Sequence, residues 1–131
     1  MARGLKMEIR SYAPTDLEEL KRIHEKHFKN EFDLPNFLRN YHCAFTVENK
    51  GHIVTIGGVR PIAEAVTVTD KALPTREKSN ALYEILEASI FIAQQHNYDQ
   101  LHCFIQNMQY YHQLQRKGFR QTKGFALVMD I

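Results

Sequence analysis

The sequence contains no tryptophan, only two cysteines, four prolines and six glycines. With so few cysteines, a disulfide-stapled scaffold is excluded. Cys43 and Cys103 each lie in an apolar, strand-like run and read as buried thiols. A bond between them would require those strands to be neighbours. So little proline and glycine, without a repeat, also excludes collagen-like and low-complexity chains. No apolar run approaches the ~20 residues that cross a bilayer, and no signal-peptide core stands near the N-terminus. A cytoplasmic protein without a membrane partner is therefore expected.

Charge of one sign is lacking too. Seventeen Lys and Arg oppose fifteen Asp and Glu, for a formal net charge of +2. The two signs alternate, as in Glu18, Glu19, Lys21, Arg22, Glu25 and Lys26, which marks a solvated helix face. A nucleic-acid surface would need clustered basic residues, so no nucleic-acid partner is expected. Neither a G-x-x-x-x-G-K-[ST] phosphate loop nor a serine nucleophile elbow occurs. His24 and His27 stand three apart on one helix, but no third ligand accompanies them, and no metal is expected.

What is present is enough apolar residue, 44% of 131, for one domain spanning residues 1–131. Met1 to Lys6 reads as a loose leader. Met7 to Tyr12 alternates as a strand. Pro14, Thr15 and Asp16 start a helix, with Thr15 and Glu18 or Asp16 and Glu19 as a capping box. Leu17, Leu20, Ile23, His24, His27 and Phe28 share its buried stripe. A short helix is expected after Asp33, with Pro35 in its first turn and Leu34, Phe37 and Leu38 on one face.

Tyr41–Glu48 and His52–Val59 read as a hairpin around Asn49-Lys50-Gly51. Gly57-Gly58 inside the second strand points to a bulge or a close backbone approach. Ile62–Thr69 is expected as a third strand of an antiparallel meander. A long helix follows from about Arg76 to His96, with Leu82, Ile85, Leu86, Ser89, Ile92 and Ala93 inward. Its N-terminus, fed by a strand, is a plausible anion seat. Leu101–Ile105 is a central strand, and Asn107–Lys117 a helix stopped by Gly118. Phe119–Gln121 and Phe125–Ile131 would close the chain as a β pair.

The resulting order, β-α-α-β-β-β-α-β-α-β-β, is that of an α/β (α+β) protein with a mixed, mostly antiparallel central sheet and helices on both faces. With its local sequences, it resembles the GNAT superfamily of acyl-CoA-dependent N-acyltransferases. Ile9–Leu20 is similar to that family's first strand and helix. The family signature [Q/R]-x-x-G-x-[G/A] corresponds to Arg76-Glu77-Lys78-Ser79-Asn80-Ala81, with serine at the glycine position. A second landmark, N-x-x-A-x-x-x-Y-x-x-x-G-F, corresponds to Asn107, Tyr110, Leu114 and Gly118-Phe119, with leucine at the tyrosine position.

The resemblance implies acetyl-CoA as cofactor and an amine of a small molecule or peptide as acceptor. It places the pyrophosphate at Arg76, Lys78, Ser79, Asn80 and Ala81, and puts Val68 and Thr69 at the strand end that holds the thioester. It makes Asn107 a further cofactor contact, Glu64 the base, and Tyr111, near the missing tyrosine, the acid. A homodimer is compatible with it. The alternative is a protein of the same fold that binds CoA, or a partner, without transferring an acyl group.

Overall fold

The structure, a computed structural model, describes residues 6–131; of the expected leader, residues 1–5 lie outside them. The protein is a mixed α/β chain with an antiparallel sheet and helices, as its sequence leads one to expect. Among the described residues the order is β1 (Met7–Ser11), α1 (Leu17–His27), β2 (Cys43–Asn49), β3 (His52–Val59), β4 (Ala63–Glu64), α2 (Thr75–Gln95), β5 (Leu101–His102) and α3 (Met108–Arg116). Two compact units result, one of Met1–Pro61 with Gln121–Ile131, the other of Ile62–Arg120.

The first unit is built on the antiparallel sheet β1-β2-β3. Lys50 (φ 52°) and Gly51 (φ 81°) make the two-residue turn between β2 and β3. Positive φ at both positions gives the turn whose twist matches the flanking strands. Asn49, expected to supply part of that turn, instead ends the ladder opposite His52. The ladder is irregular between Val47 and Glu48, away from the glycine pair. At Gly58 the expected close approach occurs: a Cβ there would lie 2.4 Å from the carbonyl oxygen of Cys43.

A polar cluster fastens this sheet to the start of α1. Arg10 faces Thr46 across the β1–β2 ladder. Its guanidinium donates two 2.8 Å hydrogen bonds to the Asp16 carboxylate and reaches Glu48 Oε1 at 2.8 and 3.0 Å. Asp16 also accepts from the Ala13 N–H (2.9 Å) and from Thr46 Oγ1 (3.0 Å). Thr46 is wholly buried and Asp16 nearly so. The Arg10 pair, strengthened by the Ala13 and Thr46 donors, holds the Asp16 carboxyl well below the usual range although burial opposes this. These bonds correct both expected capping boxes. Asp16 turns back to Ala13 and Arg10 rather than forward to Glu19, because a buried carboxylate takes the charged donor first.

The helix expected after Asp33 does not form; the stretch is a series of turns and bends. Its apolar residues go to different aromatic neighbours. Phe32 stacks on Phe28 at 5.1 Å, whereas Phe37 packs between Tyr12 (5.5 Å) and Tyr41 (5.1 Å). Asn36 Oδ1 accepts the Leu38 N–H, a local bond that competes with a helix. The terminal β pair is also absent: Phe125, Leu127, Val128, Met129 and Ile131 are exposed. Gly124 (φ 83°) still turns the chain, but two strands without a further ladder are marginal in water.

In the second unit, the expected third meander strand shrinks to Ala63–Glu64 and pairs in parallel with β5. One further ladder bond joins the Ala65 N–H to the His102 carbonyl (2.9 Å). Helix α2 ends with Asn97 in the left-handed region; the N–H groups of Asn97 and Tyr98 return to the carbonyls of Gln94 and Ala93. Helix α3 ends alike, with Gly118 (φ 100°) and Phe119 returning to Gln115 and Leu114. Both are the left-handed caps that close orphan carbonyls, one using asparagine and one glycine. Leu82, Leu86 and Leu114 form the unit's apolar cluster, flanked by Cys103, Tyr110 and Phe119. Of the stripe expected on α2, Leu82, Leu86 and Ala93 are buried, while Ile85 and Ile92 are exposed.

Candidate functional site

The residues of interest lie around the N-terminal ends of α2 and α3. Three contacts between these helices fix their relative direction. Gln113 Nε2 donates to Ser79 Oγ at 2.8 Å. One turn further along each helix, the Lys117 ammonium sits 4.0 Å from the Tyr83 ring centroid. The same ammonium is 4.0 Å from Glu87. A step of four on α2 thus matches a step of four on α3, so the helices run parallel, side by side. One turn back from Ser79 is Thr75, the first residue of α2, and one turn back from Gln113 is Gln109, near the start of α3. The two N-termini are level, and their partial positive charges lie together.

The two ends differ in how their donors are occupied. Asn107 caps α3: its Oδ1 accepts the N–H groups of Gln109 (2.7 Å) and Tyr110 (3.4 Å). Helix α2 starts after Pro74 and has no side-chain cap. The Lys78 N–H already bonds the Pro74 carbonyl (3.0 Å). The orphan donors are therefore those of Thr75, Arg76 and Glu77. This moves the anion seat relative to the signature: from Lys78 to Ala81 the backbone is inside the helix. Those residues can meet a ligand by their side chains only.

Two of the expected site residues, Thr69 and Ser79, are tied to α3. Thr69, half-buried, accepts a 2.5 Å hydrogen bond from the Tyr110 hydroxyl, tying the segment before α2 to the first turn of α3. Ser79 stands level with Gln113, and Asn107, at the start of α3, stands level with the start of α2, with exposed Arg76 and half-buried Lys78 on the first turns of that helix. Val68 is fully exposed, and Asn80 and Ala81 face solvent. Glu64 is exposed on β4, opposite His102 in the ladder. It also acts electrostatically on Cys103, whose thiol is pushed up mainly by burial and further by that carboxylate. Tyr111 is half-buried, and its hydroxyl accepts from Gln115 Nε2 at 3.1 Å.

Two contributors escaped the sequence: Gln113, and Tyr110 in its bond to Thr69. The signal available for Gln113 was its spacing, six residues after Asn107 on the face of Tyr110 and Leu114. That spacing does not reveal a partner 34 residues away. Cys43 and Cys103 are both free thiols. Among the described residues, no group of three or more His, Cys, Asp or Glu is placed to hold a metal ion. No helix there is long and apolar enough to cross a membrane.

No protein-family model matches the chain, and no curated protein matches it. Among solved structures, the chain is similar to the aminoglycoside N-acetyltransferase AAC(6')-Iy in complex with CoA. The identity is 15% over 99% of this chain and 98% of that one, with a TM-score of 0.37. A likeness at that level carries no argument about activity or substrate.

Proposed function

We propose that the chain, as one domain, binds CoA and transfers an acetyl group to an amine of a small molecule or peptide. The observation behind this reading is the pair of level, parallel helix N-termini, of which α3 is closed by Asn107 and α2 is open. An uncapped helix end with its own N–H donors suits a phosphate oxygen. The donors of Thr75, Arg76 and Glu77, with the Arg76 and Lys78 side chains, would hold a pyrophosphate there. Glu77 adds a carboxylate that lowers the affinity. Asn107, with its Oδ1 occupied in the cap, would contribute its Nδ2 donors only.

Acetyl-CoA supplies the acyl thioester. Val68 and Thr69 would position that thioester at the end of the segment leaving β4. Exposed Glu64 would take the proton of the amine through water, and Tyr111 would donate one to the departing sulfur. A second reading, CoA binding without transfer, is favoured by Leu114. It fills the apolar cluster at the position where the resembling family carries its tyrosine.

The test is a melting curve with CoA and with acetyl-CoA. Ligand at a hundred times its dissociation constant adds about 2.7 kcal/mol. For a domain of this size the midpoint rises by roughly 10 °C. No shift at millimolar CoA rejects both readings. A shift with turnover on an amine panel supports transfer, and a shift without it supports binding alone.

A further inference from the structure

Two features of the first unit have no part in the function proposed above: an apolar groove beside α1 and an apolar segment, residues 125–131. We infer that the groove between α1 and β3 is the docking surface of that segment, which lies in it with Asp130 against Arg22. The segment stands undocked in this structure. The inference does not depend on CoA binding.

The groove has a volume of about 570 Å3 and is lined by Arg22, Ile23, His27, Phe28, Ile53 and Val54. Four of these are apolar, and no carboxylate is among them. Phe28 and Val54 remain exposed, so α1 covers the start of β3 incompletely. Among the described residues β3 has β2 as its one neighbour, and its other edge carries unpaired N–H and C=O groups. An open edge beside an apolar wall suits an extended segment with apolar side chains at alternate positions.

The segment has that form. When extended, it puts Phe125, Leu127, Met129 and Ile131 on one face. That face would meet Ile23, Phe28 and Ile53. Scattered exposed apolar residues are ordinary, but here Phe125, Leu127, Val128, Met129 and Ile131 are each 83% exposed or more. Five such side chains within seven residues mark a binding surface. Asp130 is the segment's one charged residue and would face the rim. There the Arg22 side chain is 58% exposed. Glu19 takes the Nε and Nη2 donors of Arg22, and Nη1 has no hydrogen bond among the described residues.

Lys123 brings segment and groove together. Its ammonium donates to the Asn30 carbonyl at 3.1 Å, and Gly124 (φ 83°) turns the chain just after it. Asn30 is two residues beyond Phe28, so the segment starts at that end of the groove. Seven extended residues span about 23 Å, whereas the helix from Arg22 to Phe28 is only about 9 Å long. The segment can therefore run the length of the groove, and its far end, with Asp130, falls on the Arg22 side. A segment tethered this closely has a higher effective concentration at the groove than that of a second copy.

The experiment uses the absence of tryptophan from the chain. Phe125→Trp puts a single fluorophore on the segment, at an exposed position that folding tolerates. Acrylamide quenching of this full chain is compared with its quenching in urea, and with chains that also carry Val54→Lys or Asp130→Asn. Docking shields the indole, so quenching is expected several-fold weaker than in urea, with emission shifted to the blue. Val54→Lys places a charge in the groove, and quenching should return toward the urea value while circular dichroism stays the same. Asp130→Asn should give an intermediate value, since the apolar contacts remain. Sedimentation is expected to find the shielding in the monomer.

Quenching equal to that in urea overturns the inference, and this outcome needs no groove variant to fold. Shielding that survives Val54→Lys overturns it as well, because the segment then docks elsewhere. Unchanged quenching in Asp130→Asn overturns the pairing with Arg22. Shielding that appears only in a dimer overturns docking within one chain and gives the groove to the segment of a second copy.

Discussion

The two units are held together by different physics. In the first, the described structure rests on a regular antiparallel ladder and on a polar cluster. Its most buried side chain is Thr46, and Asp16 is nearly as buried. In the second, the ladder is two residues long on each strand. There the order comes from Leu82, Leu86 and Leu114 and from a few side-chain contacts, Thr69 with Tyr110, Ser79 with Gln113, and Lys117 with Tyr83. A ladder fixes every residue it includes, whereas side-chain contacts fix only the points they join. The candidate site lies in the unit built the second way. Local opening there should cost less than in the first unit, as is common for ligand-binding regions.

The sharpest way to break this contrast is to remove Asp16. Asp16→Ala leaves Arg10 with Glu48 and the Ser11 carbonyl, and strands the Thr46 hydroxyl and the Ala13 N–H. The expected loss is about 3 kcal/mol, the lower end for breaking a buried charge pair, because Arg10 remains partly hydrated. Urea denaturation measures the loss, and hydrogen exchange shows where it falls. Faster exchange confined to β1, β2 and β3 supports separate modes of stabilisation, and equal acceleration in α2 and α3 defeats them.

The same carboxylate sets a pH dependence. Its folded pKa lies below the unfolded one, so its contribution is complete above the unfolded value of about 4. It is lost as pH falls through the folded value. A stability profile of Asp16→Ala, set against that of the unaltered chain, should converge with it only at strongly acidic pH. A constant difference down to pH 2 would mean that the carboxylate's charge is not what holds the cluster.

A smaller effect, of roughly 2–3 kcal/mol, is expected for Leu86→Ala, at the low end for buried leucines because the surrounding cluster is small. Exchange should rise in α2 and α3 and stay unchanged across β2 and β3. The smallest is Asn107→Ala. Loss of a helix cap costs about 1 kcal/mol and frees the donors of Gln109 and Tyr110. If α3 then competes with α2 for anions, phosphate should protect the first turn of α3 from exchange in the variant only. Protection of α3 in the unaltered chain would contradict the closed and open ends described above.

Legibility in the sequence followed the range of the interaction. Helices α1 and α2 appeared in the apolar period and α3 in its stop residue Gly118, which takes the left-handed cap. The hairpin β2–β3 was legible because its turn is local, although Lys50 rather than Asn49 took the positive φ. Segments of equal strand propensity fared differently when their partners were distant. Ile62–Thr69 kept two strand residues, and Phe125–Ile131 kept none. Strand propensity describes how a side chain fits beside a neighbouring strand, and one sequence window does not contain that neighbour.

The sequence by itself determined the mixed α/β class, the positions of the helices and the hairpin, and Arg76, Lys78, Ser79 and Asn107 as residues near helix starts. Periodicity, capping and turn chemistry act within a few residues, so one window holds both cause and effect. Only the tertiary structure decided that α2 and α3 lie parallel with level ends. It alone brought Thr46 to Asp16, 30 residues away, and Gln113 to Ser79, 34 residues away. Each of these depends on which distant group supplies the next hydrogen bond, and the fold alone brings such groups within reach.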